Sequence, residues 1–228
     1  MVQRLVYPDI RSLSSGFAEF AAETLRNALN RKSQVTLIVP GGNTPRHYLP
    51  VLAQCPLPWK CITVTLSDER WVDTDDLQSN ENLVRQHLLA HLPTTAPFVG
   101  LKTRHTNPLA ALDDIHQRLS HIPLPPSLTV LGLGEDGHIA SLFPGLQSSE
   151  TATFRHCIAV APPIAPSLRV SLSLDLLANS EHIALVITGE NKRRLIDQLD
   201  EKPDTSLPIF WLVKLASPRI TVFETNDV

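Results

Sequence analysis

The stretch "LTVLGLGEDGHIASLFPG", Leu128 to Gly145, joins a strand-like run to an unusual loop. The run is apolar and β-branched, which is typical of a strand buried on both faces of a sheet. Gly132, Gly134 and Gly137 follow with the spacing G-x-G-x-x-G, which often holds a dinucleotide pyrophosphate. The stretch therefore predicts an α/β fold. It leaves two functions open for the loop, a pyrophosphate cradle or a platform for a catalytic base.

The context of the glycines argues against a dinucleotide site. Such a site needs an acid at the end of the next strand, ~20 residues further on, to hold the ribose. The next strand-like run, "TATFRHCIAVAP", ends without a carboxylate, and the glycines lie past the midpoint of the chain. We interpret them instead as a sharp turn, Gly137 included, that presents Glu135, Asp136 and His138. Histidine is the commonest general base, although a purely structural histidine is the alternative interpretation.

Strands and helices alternate along the rest of the chain. "QVTLIVP", "CITVTLSDER" and "EHIALVITG" read as buried strands, and "HCIAVAP", "LRVSLSL" and "ITVFE" as further strand-like runs. Helical spacing predicts a helix capped by Ser12 or Ser14 and ending near Arg31. "SNENLVRQHLLAHL" and "NPLAALDDIHQRL" predict two more helices, the latter capped by Asn107. The pattern indicates a largely parallel sheet covered by helices, in one domain spanning residues 1–228.

Composition restricts the function classes. With 43% hydrophobic and 19% charged residues among 228, the chain can bury a sizeable core. A net charge of -3 indicates neither a nucleic-acid partner nor an acidic membrane surface. No apolar run approaches a membrane span, and "MVQRLVYPDI" lacks the apolar region of a signal peptide. Three cysteines without a C-x-x-C pair favour a reducing, cytoplasmic setting over disulfides or a cysteine zinc site.

The first polar cluster at a predicted strand end is "VPGGNTP". Two glycines let the backbone turn tightly and expose its N–H groups, and the helix starting near Pro45 directs its positive dipole end there. This arrangement predicts a nest for one phosphate, and an ordinary turn is the alternative. The residues of this candidate nest are Gly41, Gly42, Asn43 and Thr44.

Further strand ends supply cations and a second carboxylate. In "LSDERW", Arg70 can grip a phosphate and Asp68 can orient a base or a sugar hydroxyl, unless the two belong to a local salt-bridge cluster. Arg169 in "LRVSLSL" lies beside a buried strand. Lys192 in "TGENK" lies in the first turn of a predicted helix, where a cation opposes the helix dipole unless an anion binds. Simple exposure to solvent is the alternative for Lys192.

Other chemistries find little support. The chain contains no G-x-S-x-G elbow and no H-E-x-x-H motif. His87 and His91 are four residues apart on a predicted helix, but no third metal ligand is evident.

Together, these clusters resemble those of 6-phosphogluconolactonases, within the wider group that includes glucosamine-6-phosphate deaminases. The matching segments occur in the family's order between about Val35 and Lys192. They are "PGGNTP", "LSDERWV" with "SNENL" downstream, "LGLGEDGHIASLFPG", "LRVSLSL" and "GENK". The deaminases are similar up to "DGHIA" and then continue towards an Asn-Glu-Pro sequence, and they carry a tyrosine where this chain has Arg70. Both differences favour the lactonase. Asn43 replaces a common serine, Asp73 replaces a common proline, and the chain after Lys192 matches poorly.

The resemblance implies a Rossmann-like three-layer α/β/α sandwich of the deaminase, ribose-phosphate isomerase and CoA-transferase type. It implies a carboxylic ester hydrolase that converts 6-phosphogluconolactone to 6-phosphogluconate without a metal or organic cofactor, as a monomer or homodimer. His138 then assists attack of water on C1, and Arg70, Arg169, Lys192 and the Gly41–Thr44 loop hold the phosphate. Amino-sugar-phosphate deamination or isomerisation, and a sugar-phosphate sensor without catalysis, are the alternatives.

Overall fold

The computed structural model describes residues 2–145, 156–162 and 168–227. Ten strands occur in these ranges. They are β1 (Gln3–Val6), β2 (Val35–Val39), β3 (Ile62–Leu66), β4 (Asp68–Arg70), β5 (Phe98–Val99), β6 (Leu128–Leu131), β7 (Cys157–Val160), β8 (Arg169–Leu172), β9 (Ile183–Thr188) and β10 (Ile220–Thr225).

Seven helices accompany these strands in the described part of the chain, together with two short 3₁₀ turns, Trp59–Cys61 and Leu89–His91. The helices are α1 (Ile10–Leu29), α2 (Pro45–Ala53), α3 (Asn80–His87), α4 (Pro108–Ser120), α5 (Leu174–Ala178), α6 (Glu190–Glu201) and α7 (Pro208–Ala216).

A seven-stranded parallel sheet forms the centre of the fold, in the order β1-β10-β9-β6-β2-β3-β5. Every residue of β2, β3 and β6 is buried, so both faces of the sheet are covered there. The predicted α/β class with a mostly parallel sheet is thereby confirmed. From β2 the chain runs outward through β3 to β5, and from β6 it runs the other way through β9 to β10. The carboxyl ends of β2 and β6 therefore flank the crevice where α/β proteins commonly bind ligands.

A second sheet, β4-β8-β7, is antiparallel and was not foreseen from the sequence. The run "CITVTLSDER" was predicted as one strand, but Ser67 divides it between the two sheets. The Ser67 N–H donates to Val39 O at 2.9 Å, and the Ser67 carbonyl accepts from Leu172 N at 2.8 Å. The backbone thus leaves β2 for β8 at this corner, and β4 carries its polar residues away from the parallel sheet.

Helix starts follow local capping chemistry, with one correction. Helix α1 begins at Ile10, because Asp9 accepts the Ser12 N–H at 2.7 Å, and the predicted caps Ser12 and Ser14 lie inside the helix. For α3 the sequence left Ser79 and Asn80 open as the start, and Ser79 is the cap, while the predicted cap Asn107 of α4 is confirmed. Helix α3 ends before the 3₁₀ turn that contains His91, so His87 and His91 do not share a helix.

Candidate active site

A cavity of about 250 Å³ lies beyond the carboxyl ends of β2 and β6. It brings together all nine residues predicted for catalysis and phosphate binding. They are Gly41, Gly42, Asn43, Thr44, Asp68, Arg70, His138, Arg169 and Lys192. The predicted supporting residues, Glu135, Asp136 and Gly137, lie next to this lining in the loop that carries His138.

The glycines after β6 form a tight turn around His138. Gly134 N donates to His138 O at 2.9 Å, Gly137 N donates to Gly134 O at 3.1 Å, and Gly137 has a φ of +84°. A Cβ on Gly134 would lie 2.1 Å from His138 Nδ1. Gly134 is therefore required by the close approach of the imidazole, and the glycine spacing serves the histidine.

Asp136 orients the imidazole. Its Oδ1 lies 2.5 Å from His138 Nδ1 and also accepts the His138 backbone N–H at 3.2 Å. Burial acts to raise the pKa of Asp136, but the hydrogen bonds and charge of His138 outweigh it and hold this pKa below its usual value. The ring packs against Phe143 with 4.8 Å between centroids, and the His138 side chain keeps 30% exposure. Since Nδ1 is engaged, Nε2 is the nitrogen that can exchange a proton with a bound molecule.

Asp68 belongs to a separate network. The carboxylate accepts from Ser67 Oγ at 2.9 Å, from Ser141 Oγ at 2.6 Å and from Asn80 Nδ2 at 3.3 Å. The interpretation that Asp68 orients His138 is therefore corrected, because Asp136 makes that contact. Asp68 still lines the cavity, so its alternative role towards a sugar hydroxyl stays a prediction.

Two arginines lie side by side on neighbouring strands of the small sheet. Arg70 on β4 and Arg169 on β8 are directly paired in the antiparallel register. Arg70 Nη1 donates to Gln78 O at 2.7 Å, and Arg169 Nη1 donates to Ser141 Oγ at 3.3 Å. Both Nε atoms are buried and have no hydrogen-bond partner in the described part of the chain. Burial and the neighbouring Arg70 charge lower the pKa of Arg169, which Asp68 only partly offsets. Like charges in direct register destabilise a sheet, and an anion bound between the two guanidinium groups would relieve this repulsion.

The loop after β2 adds free backbone donors to this charge. None of the N–H groups of residues 41–44 has a hydrogen-bond acceptor among the described residues. Gly42 has a φ of +100°, a conformation that suits glycine, and α2 begins at Pro45 directly behind the loop. The loop therefore meets the requirements of the predicted phosphate nest.

Lys192 projects its charge into the same cavity from the first turn of α6. Its cationic neighbours are engaged elsewhere, since Arg194 pairs with Glu190 and Arg193 lies 3.5 Å from Glu224. In the described ranges, Lys192 has no ion-pair partner of its own. The prediction that Lys192 binds an anion in the cavity stays a prediction.

Asn80 lines the cavity, whereas the sequence singled it out only as a possible start of α3. Its Nδ2 donates to Asp68 O at 2.9 Å, and its Oδ1 would lie 1.7 Å from a Cβ on Gly41. Gly41 is thus needed so that the loop after β2 and the first residue of α3 can meet. The only signal was the position of Asn80 in "SNENL", where helix capping already explained the polar residues.

In residues 2–145, 156–162 and 168–227, no cluster of three or more His, Cys, Asp or Glu side chains is arranged to hold a metal ion. No helix within those ranges is long and apolar enough to cross a bilayer.

Comparison with known proteins identifies the family of this chain. A family described as glucosamine-6-phosphate isomerases/6-phosphogluconolactonase matches residues 8–221. A 6-phosphogluconolactonase of Pseudomonas putida is 39% identical over 188 residues, which cover 81% of this chain and 77% of that protein. One from Neisseria meningitidis is 34% identical and covers 89% and 90% of the two chains.

Solved structures agree with the sequence comparison. A 6-phosphogluconolactonase from Shewanella baltica has a TM-score of 0.91 and 32% identity, covering 100% of this chain and 98% of that one. A monomeric glucosamine-6-phosphate deaminase has a TM-score of 0.81 at 19% identity over 98% of this chain and 97% of its own, which shows a shared fold.

Proposed function

The chain belongs to the family of glucosamine-6-phosphate isomerases and 6-phosphogluconolactonases, and on that basis we propose that it hydrolyses 6-phospho-D-glucono-1,5-lactone to 6-phospho-D-gluconate. This reaction is the second step of the oxidative pentose phosphate pathway. The observation that carries the proposal is that His138, whose ring Asp136 holds, shares one cavity with Arg70 and Arg169.

The cationic side of the cavity binds the 6-phosphate. Arg70 and Arg169 donate from the small sheet, Lys192 from α6, and the backbone of residues 41–44 from the loop after β2. Bidentate guanidinium contacts suit a phosphate dianion, which also relieves the repulsion between the two arginines. Because the phosphate does not take part in the chemistry, binding it serves to fix the lactone carbon beside the base.

His138 acts as general base and then as general acid. Nε2 removes a proton from water while the water oxygen bonds to C1, and the carbonyl electron pair moves onto the carbonyl oxygen. The tetrahedral intermediate collapses, the bond between C1 and the ring oxygen breaks, and Nε2 returns its proton to that oxygen. The new carboxylic acid then ionises. Asp136 keeps Nδ1 engaged and stabilises the imidazolium formed between the two steps.

We further propose a cytoplasmic setting and a monomeric or homodimeric state. The chain has three cysteines and no C-x-x-C pair, which suits a reducing compartment. The net charge of -3 gives no support to a nucleic-acid partner.

The test is proton release from freshly generated 6-phosphogluconolactone, measured against spontaneous hydrolysis. We expect rapid turnover of this lactone, slower turnover of unphosphorylated glucono-δ-lactone and no ammonia from glucosamine 6-phosphate. Turnover of the amino sugar alone would show a deaminase. Binding of 6-phosphogluconate without any turnover would show a sensor.

A further inference from the structure

The loop between β6 and His138 contains two consecutive backbone N–H groups without an acceptor. The N–H groups of Gly132 and Leu133 donate to no acceptor among the described residues, whereas that of Gly134 donates to His138 O. Both residues line the cavity, and Leu133 is only 4% exposed. Gly132 is half-buried and borders open space, so these two neighbouring donors are available to an acceptor that binds in the cavity.

These two donors lie beside the general base. Gly134 is in such close contact with the imidazole that a Cβ there would be 2.1 Å from His138 Nδ1. Leu133 and Gly132 precede Gly134 directly, so their Cα atoms lie within ~4 and ~8 Å of its Cα, at ~3.8 Å per residue. A Cβ on Gly132 would meet no atom within 4 Å, so the space over this residue is open cavity.

In the proposed reaction, the cationic side chains of the cavity bind the 6-phosphate. If Arg70, Arg169 and Lys192 neutralise the phosphate, the negative charge that develops at the carbonyl oxygen of C1 needs its own donors. Backbone N–H groups are well suited because their direction is fixed before the reaction and no reorganisation is needed.

Resting on the proposed lactone hydrolysis, we propose that the N–H groups of Gly132 and Leu133 form the oxyanion hole. As the water oxygen bonds to C1, the carbonyl π electrons move onto the carbonyl oxygen, which accepts both N–H groups. When the tetrahedral intermediate collapses, the electron pair on this oxygen re-forms the C=O bond, and the bond between C1 and the ring oxygen breaks. Gly132 also serves specificity, because its missing side chain leaves room for the reacting end of the lactone.

The sharpest test removes one donor without altering a side chain. Replacing Leu133 by its α-hydroxy analogue converts the amide to an ester and deletes a single N–H group. Since the loss of one oxyanion donor typically costs ~10²–10³ in kcat, we expect a fall of that order. KM and the affinity for 6-phosphogluconate should stay within about threefold, because only the transition state uses the bond.

The matched control is the same replacement at Leu77, which is 85% exposed and whose N–H also has no acceptor among the described residues. Its kcat should equal that of the wild type. If the Leu133 ester retains kcat within threefold of the Leu77 ester, the oxyanion assignment is wrong. If the wild type itself does not turn over the lactone, the proposed function fails instead, so the two failures are distinct.

Gly132→Ala provides a second variant that requires no backbone chemistry. Its Cβ has open space and the φ of Gly132 lies outside the left-handed region, so the variant should fold as the wild type does. The methyl group occupies the place of the reacting carbonyl, and we expect kcat/KM for the lactone to fall at least tenfold while inorganic phosphate binds as before. Should the Leu133 ester fail to fold, full activity of Gly132→Ala would overturn the inference by itself.

Discussion

His138 owes its position to short-range contacts within its own loop. Asp136 holds Nδ1, Phe143 packs against the ring, and Gly134 leaves room for both. Because these contacts span only a few residues, the motif "GEDGHIASLF" could be interpreted as a platform for a base from the sequence alone. The sequence left open whether Asp68 orients His138 or a sugar hydroxyl, and only the coordinates show that Asp136 makes the contact to the ring.

We predict that His138→Ala removes most of the catalysed rate while leaving product affinity within about twofold. General-base assistance typically contributes ~10²–10⁴-fold, and the phosphate contacts do not involve the imidazole. Single-turnover rates with fresh lactone, and calorimetric titration with 6-phosphogluconate, measure the two quantities. His121→Ala, at the exposed end of α4, is the matched control and should behave as the wild type. Comparable losses in both variants would contradict the assignment.

Lys192→Ala should weaken the preference for the phosphorylated lactone. Lys192 has no ion-pair partner in the described ranges and lines the cavity, so its removal costs phosphate binding and little else. We expect kcat/KM for 6-phosphogluconolactone to fall at least tenfold, with the value for glucono-δ-lactone nearly unchanged. Lys60→Ala, at an exposed site outside the cavity, is the control. An unchanged ratio of the two substrates in Lys192→Ala would refute a role as phosphate anchor.

At the scale of elements, Glu69 joins β4 to the start of α3. Its buried carboxylate accepts the N–H groups of Arg70 at 2.7 Å and of Asn80 and Glu81 at 2.8 Å, together with Ser79 Oγ at 3.1 Å. Four donors converge on one side chain of a three-residue strand. This bond set places Arg70 and Asn80 at the cavity from two different elements.

The burial of Glu69 predicts a pH-dependent stability. Burial raises the pKa of Glu69 to about 7 against the opposing hydrogen bonds, from 4.5 in the unfolded chain. A raised pKa means that the folded state favours the protonated form of Glu69. The contribution of this group to the free energy of unfolding is therefore complete below pH 4.5 and is lost as the pH rises through 7. At ~1.4 kcal/mol per pKa unit, the loss amounts to roughly 3 kcal/mol.

Urea unfolding at pH 5 and pH 8 measures this effect against Glu69→Gln, which cannot titrate. The free energy of unfolding of the wild type, relative to this variant, should decrease from pH 5 to pH 8. Glu23→Gln, on the exposed face of α1, should show no such change relative to the wild type. Equal differences at both pH values would mean that the four donors outweigh burial and keep Glu69 ionised throughout.

Two elements show where local patterns fail. "CITVTLSDER" has the composition of one strand, but the hydrogen bonds of Ser67 to Val39 and Leu172 divide it between two sheets. Helix α7 was missed because five consecutive apolar residues, from Ile209 to Val213, conceal the helical period. Such a run fits a buried strand equally well until tertiary contacts decide.

At the scale of the whole molecule, the cavity draws on segments spread along the chain. The loop after β2, the small sheet, the His138 loop and α6 each contribute lining residues. A ligand that binds there holds these segments in their native arrangement and cannot bind the unfolded chain. Binding is therefore coupled to the stability of the fold as a unit.

We accordingly predict that 6-phosphogluconate raises Tm in a single cooperative transition. At 100 times its Kd, the product should add about 2.7 kcal/mol to the free energy of unfolding. Calorimetry with and without product tests this prediction, and the double variant Arg70→Gln, Arg169→Gln should lose most of the effect. Two transitions, of which only one responds to product, would contradict the prediction of one domain over residues 1–228.

The sequence by itself determined the α/β class, most strands and helices, the cap of α4 and nine of the residues that line the cavity. These features depend on hydrophobic period, capping chemistry and short motifs, which act over a few residues. Only the tertiary structure decided that Arg70 faces Arg169, that Asp136 holds His138, and that Asn80 meets Gly41. Such pairings follow from strand register and from the satisfaction of buried polar groups between distant segments, and no local pattern encodes either.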